Sequence, residues 1–115
     1  MSTLYGIKAC DTMKKAFTWL DQHGVDYQFH DYKKAGAPEK ALAAWISDFG
    51  WDTIINRRGT TWRKLPEARR EAMDAEDALA VAIENPSIIK RPILVHDKGV
   101  LIGFDPAKWA EALSV

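Results

Sequence analysis

The stretch that decides the fold is Thr3-Leu4-Tyr5-Gly6-Ile7-Lys8-Ala9-Cys10-Asp11-Thr12, close to the start of the chain. Its first five residues are apolar or β-prone and predict a strand, whereas Asp11 and Thr12 are of the types that begin helices. The apolar residues that follow repeat with helical spacing, at Met13, Ala16, Phe17 and Leu20. The stretch therefore predicts a strand, a tight loop that contains Cys10, and an amphipathic helix.

The flanking sequence extends this unit on both sides of a central block. After Gly24 ends the helix, Val25 to Tyr32 alternates imperfectly as a second strand, and a right-handed crossover makes the two strands parallel. Strand signals return at residues 92–96 and 100–103, with a Gly-containing turn between them that predicts a hairpin. Asp105 and Pro106 then begin a closing helix.

The central block, from Pro38 to about Asn85, has helical periods and no convincing strand. One helix is predicted to end at Gly50 and another to span about Ala75 to Glu84, with a basic, hydroxyl-rich loop at residues 54–63 between them. The predicted architecture is α/β, in the order β-α-β, helical insertion at about 36–88, β-β-α. At 115 residues we expect a single domain over 1–115.

Composition excludes several classes of function. Sixteen basic and sixteen acidic side chains balance, so no overall field attracts nucleic acid or an anionic membrane. No apolar stretch is long enough for a membrane span, and the N-terminus lacks the layout of a secretory signal, so we expect a cytoplasmic protein. The single cysteine cannot form an internal disulfide, and redox chemistry here would need a partner from outside the chain.

Cys10 is the candidate reactive residue, because a helix start offers unpaired amides and the positive end of the helix dipole to a thiolate. The alternative is a small buried hydrophobic residue, which is the commoner role of a lone cysteine. Lys8 and Lys14 add positive charge nearby in sequence, or are simply solvated.

Two further segments are candidates for the site. Arg91 precedes Pro92 at the entrance of the third strand, where an X-Pro bond can be cis and can expose backbone groups; alternatively Pro92 starts an edge strand and Arg91 is solvated. In the segment Arg57-Arg58-Gly59-Thr60-Thr61, an arginine could clamp a carboxylate or another oxyanion, or the segment is a charged surface loop.

The sequence has no residue pattern typical of a metal site or a nucleotide site. The three histidines, His23, His30 and His96, have no ligand spacing with Cys10, so we expect no metal. The glycines stand singly and form no phosphate-binding loop. The five tryptophans fit partial burial better than a base-stacking surface, since the charge balance is neutral.

Three separated motifs together resemble one known family. They are residues 4–16, from Leu4 to Ala16, residues 58–65, Arg58-Gly59-Thr60-Thr61-Trp62-Arg63-Lys64-Leu65, and residues 89–93, Ile89-Lys90-Arg91-Pro92-Ile93. In this order they resemble the arsenate reductase-like (ArsC/Spx) branch of the thioredoxin superfamily, and within it the YffB subgroup. The resemblance spans essentially the whole chain.

This resemblance implies a thioredoxin-like fold with a four-stranded mixed sheet. It implies Cys10 as nucleophile, Arg91 ahead of a cis Pro92, and glutathione as co-substrate with no tightly bound cofactor. Arg91 and Arg58 would supply an electropositive rim, and Lys8 and the Thr12 hydroxyl would lie near the bound glutathione. Pro92 would shape a groove for its peptide part. Whether Arg57 or Arg58 faces the thiol stays open.

The chain also departs from its relatives at two positions. Phe104 stands where glutaredoxin-coupled arsenate reductases carry a third arginine, and Met13 stands where the regulator Spx carries its second cysteine. The first hypothesis is therefore a glutathione-dependent thiol reductase acting on an oxidised small molecule or protein, with or without a glutaredoxin. The alternatives are an Spx-like regulator that contacts RNA polymerase and a true glutaredoxin-coupled arsenate reductase.

Overall fold

A four-stranded mixed sheet organises the first of the two units into which the chain divides, residues 1–31 with 91–115. The computed structural model describes every residue from 1 to 115. The strands are β1 Ser2–Gly6, β2 Tyr27–Asp31, β3 Ile93–His96 and β4 Gly99–Ile102. They lie in the order β2-β1-β3-β4, with β1 parallel to β2 and antiparallel to β3, and with β4 antiparallel to β3. The predicted mixed sheet and its parallel β-α-β opening are confirmed.

Four of the eight helices lie where the sequence predicted helices, and the other four have five residues or fewer. The eight helices are α1 Asp11–Gln22, α2 Tyr32–Ala35, α3 Glu39–Phe49, α4 Trp51–Ile54, α5 Thr60–Arg63, α6 Glu67–Glu71, α7 Ala75–Glu84 and α8 Pro106–Leu113, with a 3-10 helix at Pro86–Ile88. Helices α2 to α7 belong to the second unit, residues 32–90. No helix combines the length and the apolar character that crossing a membrane would require.

The core of the first unit lies between the sheet and its two helices. Its buried residues are Leu4, Met13, Ala16, Leu20, Leu94 and Trp109. Burial of each large apolar side chain in this set stabilises the fold by about 1.5 to 3 kcal/mol. Phe17, predicted on the same face of α1, is only partly buried and packs edge-on against Phe29, with ring centroids 4.9 Å apart. The helical spacing therefore identified the buried face of α1.

Gly6 lets α1 approach the end of β1. Gly6 is buried, and a Cβ built on it would lie 2.6 Å from Met13 Cε and closer still to the sulfur. Met13 is itself fully buried, so its side chain has little room to move away. Contact between this strand end and this helix thus requires glycine at position 6.

We expect Gly6→Ala to lower the free energy of unfolding by about 1 to 3 kcal/mol, because it overpacks the core against Met13. Urea denaturation of Gly6→Ala, Met13→Ala and the double variant tests the reason. Because Met13→Ala removes the clashing atoms, the double variant should lose less stability than the two single losses added together. Strict additivity would show that Met13 is not what the added methyl meets.

The start of α8 is closed by two local hydrogen-bond systems. The Asp105 carboxylate accepts from the amides of Ala107 and Lys108, at 3.1 and 3.3 Å, which confirms the predicted N-cap. The indole N–H of Trp109 donates to the carbonyl of Gly103 at 3.0 Å, so this buried ring leaves no polar atom unsatisfied. Together these bonds hold the segment that joins β4 to α8.

The second unit is helical, as predicted, and has its own apolar core. Its fully buried large side chains are Tyr32, Leu42, Ile54, Ile55, Ile88 and Ile89. One isolated antiparallel bridge joins Ile55 to Ile89, flanked by hydrogen bonds from Asn56 N to Ile88 O and from Lys90 N to Ile54 O. The sequence showed no strand here, and a single bridge is too short to leave an alternating pattern.

The prediction of a continuous loop at residues 54–63 was wrong in part. Residues 60–63 form α5, a single helical turn in which Arg63 N donates to Gly59 O and Lys64 N to Thr60 O. The turn ends shortly before Pro66, which cannot continue a helix. One turn contains too few residues for an apolar period, so composition alone indicated a loop.

Candidate active site

Cys10 occupies the N-cap position of α1, as the strand-loop-helix pattern predicted. Its backbone is extended, with φ −144° and ψ 132°, and its carbonyl accepts the amide of Lys14 at 2.9 Å. The thiol is partly exposed and packs at the edge of the first unit's core. This geometry places the sulfur beside the free amides of the first helical turn.

The surroundings of Cys10 favour the thiolate. Burial by itself would raise the pKa of the thiol, but the amide of Met13, the guanidinium of Arg91 and the amide of Thr12 together hold the pKa below its ordinary value. Both amides belong to the first turn of α1, where N–H groups without a helical partner favour a negative charge. These surroundings would suit a nucleophilic cysteine.

Arg91 and Pro92 lie at the entrance of β3, within the same unit as Cys10. The Arg91–Pro92 peptide bond is cis, as the resemblance implied. Arg91 is half-buried and acts on the Cys10 sulfur through both a hydrogen bond and its positive charge. Pro92 is buried, and its carbonyl accepts the amide of Gly103 at 2.8 Å. β3 lies between β1 and β4, so the alternative of a proline on an edge strand does not apply.

Lys8 and Thr12 flank the thiol in sequence and are both exposed. Thr12 acts on Cys10 through its backbone amide, whereas the sequence suggested its hydroxyl. Lys8 lies in the short segment between β1 and Cys10, and it is not among the groups that lower the pKa of Cys10. Their roles in binding glutathione stay predictions.

Arg58 lies in the second unit, on a basic cleft of about 540 Å³. The other cationic side chains of the cleft are Arg57 and Lys90, and Asp52 is its one acidic residue. The Arg58 amide donates to the Asn56 side chain at 3.2 Å, which holds the backbone at this point. A cleft with this charge suits an anion.

Arg57 and Arg58 differ in how their side chains are held. The Arg57 guanidinium lies over the ring of Trp51, 5.8 Å from its centroid, and Trp51 in turn stacks on Trp62. Arg58 is exposed and has no such ring beneath it. Whether Arg58 serves the Cys10 thiol stays a prediction.

The structure brings no three side chains of the metal-binding types together. No group of three or more histidine, cysteine, aspartate or glutamate residues has the proximity needed to hold an ion. The site is built from one thiol, one guanidinium and two backbone amides.

The ArsC family profile matches residues 5–112, which is nearly the whole chain. The chain belongs to the ArsC family. This confirms the resemblance drawn from the three motifs and, with it, the thioredoxin-like fold.

Among solved structures, this ArsC family member is similar to the YffB protein, with 50% identity and a TM-score of 0.94 over 98% of this chain and 99% of that one. It is 46% identical to an arsenate reductase (ArsC) related protein from Brucella melitensis, with a TM-score of 0.77 over 99% and 95% of the two chains. A curated relative, the global transcriptional regulator Spx of Streptococcus pyogenes serotype M3, is 31% identical over 91% of this chain and 79% of its own length. The family thus includes a regulator as well as proteins related to an enzyme.

Sequence reasoning missed one contributor to the ArsC-family site and one neighbouring surface. The amide of Met13 lowers the pKa of Cys10, yet Met13 drew attention only as the residue replacing a second cysteine. Its position three residues after the N-cap was the available signal. A groove beside α1, formed partly by residues of the β4-α8 segment, left no local pattern to detect.

Proposed function

We propose that the protein is a glutathione-dependent thiol reductase that uses Cys10 as its single nucleophile. The observation that supports this most directly is the placement of Cys10 at the start of α1, where Arg91 and two amides hold its pKa below the ordinary value despite the opposing effect of burial. A stabilised thiolate both attacks a disulfide readily and leaves readily from one.

The reaction needs two thiol exchanges. In the first, the Cys10 thiolate attacks the glutathione sulfur of a mixed disulfide; a bond forms between Cys10 and glutathione, the old S–S bond breaks, and the substrate thiolate leaves with the electron pair. In the second, the thiolate of a free glutathione attacks the glutathione sulfur of this adduct, and Cys10 leaves as a thiolate. The substrate is reduced to a thiol, and two glutathione units become oxidised glutathione.

Positive side chains would hold the glutathione carboxylates. Arg91 already stabilises the thiolate, and its several N–H donors can serve a second anion at the same time. Arg58, with Arg57 and Lys90, offers a cationic cleft whose side chains can bind a carboxylate. We propose Arg91 as the cation that holds a glutathione carboxylate beside Cys10, with Lys8, Thr12 and Pro92 as further binding residues, and we propose Arg58 as a second carboxylate-binding residue.

The test is mass spectrometry of the intact reduced protein after incubation with oxidised glutathione. We expect one glutathionyl adduct, which persists until free glutathione removes it, because the chain has no second cysteine to resolve it. A peptide carrying a glutathionylated cysteine should be reduced catalytically when glutathione is supplied. Cys10→Ser is the matched control and should form no adduct.

A second candidate is a regulator that binds a protein partner, and the 31% identity to Spx supports it. A stable complex from a cell extract that survives Cys10→Ser, together with no adduct and no turnover, would favour binding over catalysis. A true arsenate reductase is the third candidate, supported by the similarity to the Brucella melitensis protein. Phe104, in place of a third arginine, weakens the case for binding arsenate.

A further inference from the structure

An apolar groove of about 380 Å³ runs along the exposed face of α1, within the first unit. Its aromatic lining comes from Trp19 and Phe104, and Pro106 adds a third apolar ring. Lys14 and Lys15 stand on its rim, both exposed. The site described above uses none of these five residues.

The floor of the groove is held rigidly. Trp19 stacks on His23 with ring centroids 4.1 Å apart, and the His23 ring nitrogen is hydrogen-bonded to the Trp19 carbonyl oxygen at 2.8 Å. Phe104 packs edge-on against buried Trp109 at 4.9 Å, and Trp109 also meets Trp19 edge-on at 5.9 Å. A surface formed in advance loses little conformational freedom when it binds an apolar side chain.

The two lysine ammonium groups on the rim of the groove have no acidic partner. The structure gives neither Lys14 nor Lys15 an ion pair, although the helix carries acidic residues of its own. Two free ammonium groups beside an aromatic floor complement a ligand that joins an apolar side chain to carboxylates. A neutral or basic ligand would leave both lysines without a partner.

The groove begins close to the thiol. Lys14 lies one helical turn after Cys10, to whose carbonyl its amide donates, and the groove continues along α1 to Gln22. Eight residues of α-helix span about 12 Å, the length of about four residues of extended chain. A peptide whose glutathionylated cysteine presents its disulfide to the Cys10 thiolate could therefore lie along this groove with its next few residues.

We propose that this groove docks an extended acidic segment of a protein substrate, with an apolar side chain on Trp19 and Phe104 and carboxylates against Lys14 and Lys15. The proposal rests on the proposed thiol exchange at Cys10 and names its substrate class: proteins whose modified cysteine is followed or preceded, within about four residues, by an acidic segment with an apolar side chain. The groove selects the substrate, whereas Cys10 and Arg91 perform the exchange.

Three synthetic peptides with one glutathionylated cysteine test this. The first carries Phe and two Glu next to the cysteine, the second replaces Glu with Lys, and the third replaces Phe with Ser. We expect kcat/KM for release of glutathione to be about tenfold higher for the first than for either other peptide, as two surface ion pairs or one buried apolar side chain would produce.

Charge reversal on the protein completes the test. Lys14→Glu with Lys15→Glu should remove the advantage of the acidic peptide, while Lys40→Glu with Lys64→Glu, an equal change at exposed lysines in the second unit, should keep it. Reaction with oxidised glutathione alone should be unchanged in both variants.

The outcomes separate the two proposals. If the wild type reacts with oxidised glutathione but reduces all three peptides at equal rates, the docking role of the groove is overturned and the proposed function stands. Loss of the reaction with oxidised glutathione in the wild type would instead overturn the proposed function.

Discussion

Replacing Cys10 with serine is expected to lower the rate of glutathione-coupled disulfide reduction by a factor on the order of a thousand or more, because the chain has no other thiol and a hydroxyl is not ionised at neutral pH. A coupled assay that follows oxidised glutathione measures this. At a pH below the folded pKa of Cys10, where the wild-type thiol is uncharged, the same variant should fold at least as well as the wild type, since serine is a preferred N-cap residue and cysteine is not.

The stability of Cys10→Ser tests the position of Cys10 at the helix start independently of activity. In the wild type the side chain of Cys10 makes no capping hydrogen bond, whereas a serine hydroxyl can accept one from the amide of Met13. A gain of about 1 kcal/mol is expected at a pH where the wild-type thiol is uncharged, and it raises Tm by a few degrees. Lower stability with full activity would contradict the assignment of Cys10 as a nucleophile placed at a helix start.

Replacing Arg91 with methionine is expected to raise the pKa of Cys10 and to slow its alkylation by iodoacetamide below neutral pH by about fivefold, the effect of losing a hydrogen bond to a charge worth about 1 kcal/mol at a partly exposed site. Methionine keeps much of the volume of the arginine stem. Alkylation rates measured across pH report the pKa, and Lys108→Met, an exposed lysine of the same unit, is the control.

The pH dependence of stability gives an independent check. Because the pKa of Cys10 is lower in the folded chain than in the unfolded chain, the thiolate contributes stability that is present above the ordinary thiol pKa and is lost as pH falls through the folded value. Between these two values the free energy of unfolding should rise with pH. Arg91→Met should flatten that rise. An unchanged alkylation profile would show that the amides of Met13 and Thr12 alone set the pKa.

Much of the architecture could be predicted from the sequence because each element has a local cause. The apolar spacing of α1 identified its buried face, and Asp105 with Pro106 marked the start of α8. The second strand was predicted as residues 25–32 and observed as Tyr27–Asp31, since strand ends depend on pairing rather than on composition. The structure divides the chain into two units, and the single domain expected over 1–115 stays a prediction.

The candidate site was predicted in part. A helix start beside a cysteine is a local feature, so the sequence was sufficient to single out Cys10. The role of Arg91 came from the resemblance, because 81 positions separate it from Cys10 and no periodic pattern links them. The cleft that contains Arg58 was suggested by residue type alone, and the contribution of Lys90 to it was not foreseen.

By itself, then, the sequence determined the order of the main elements, the buried face of α1 and the position of the one cysteine at a helix start, since these depend on neighbours a few residues away. Only the tertiary structure decided that Arg91 reaches the thiol, because β3 pairs with β1, whose chain leads into Cys10. It also decided that Trp19 and Phe104 share a groove, because the β4-α8 segment returns to α1. Such contacts join distant parts of the chain through sheet pairing and core packing, which leave no short-range signal in the sequence.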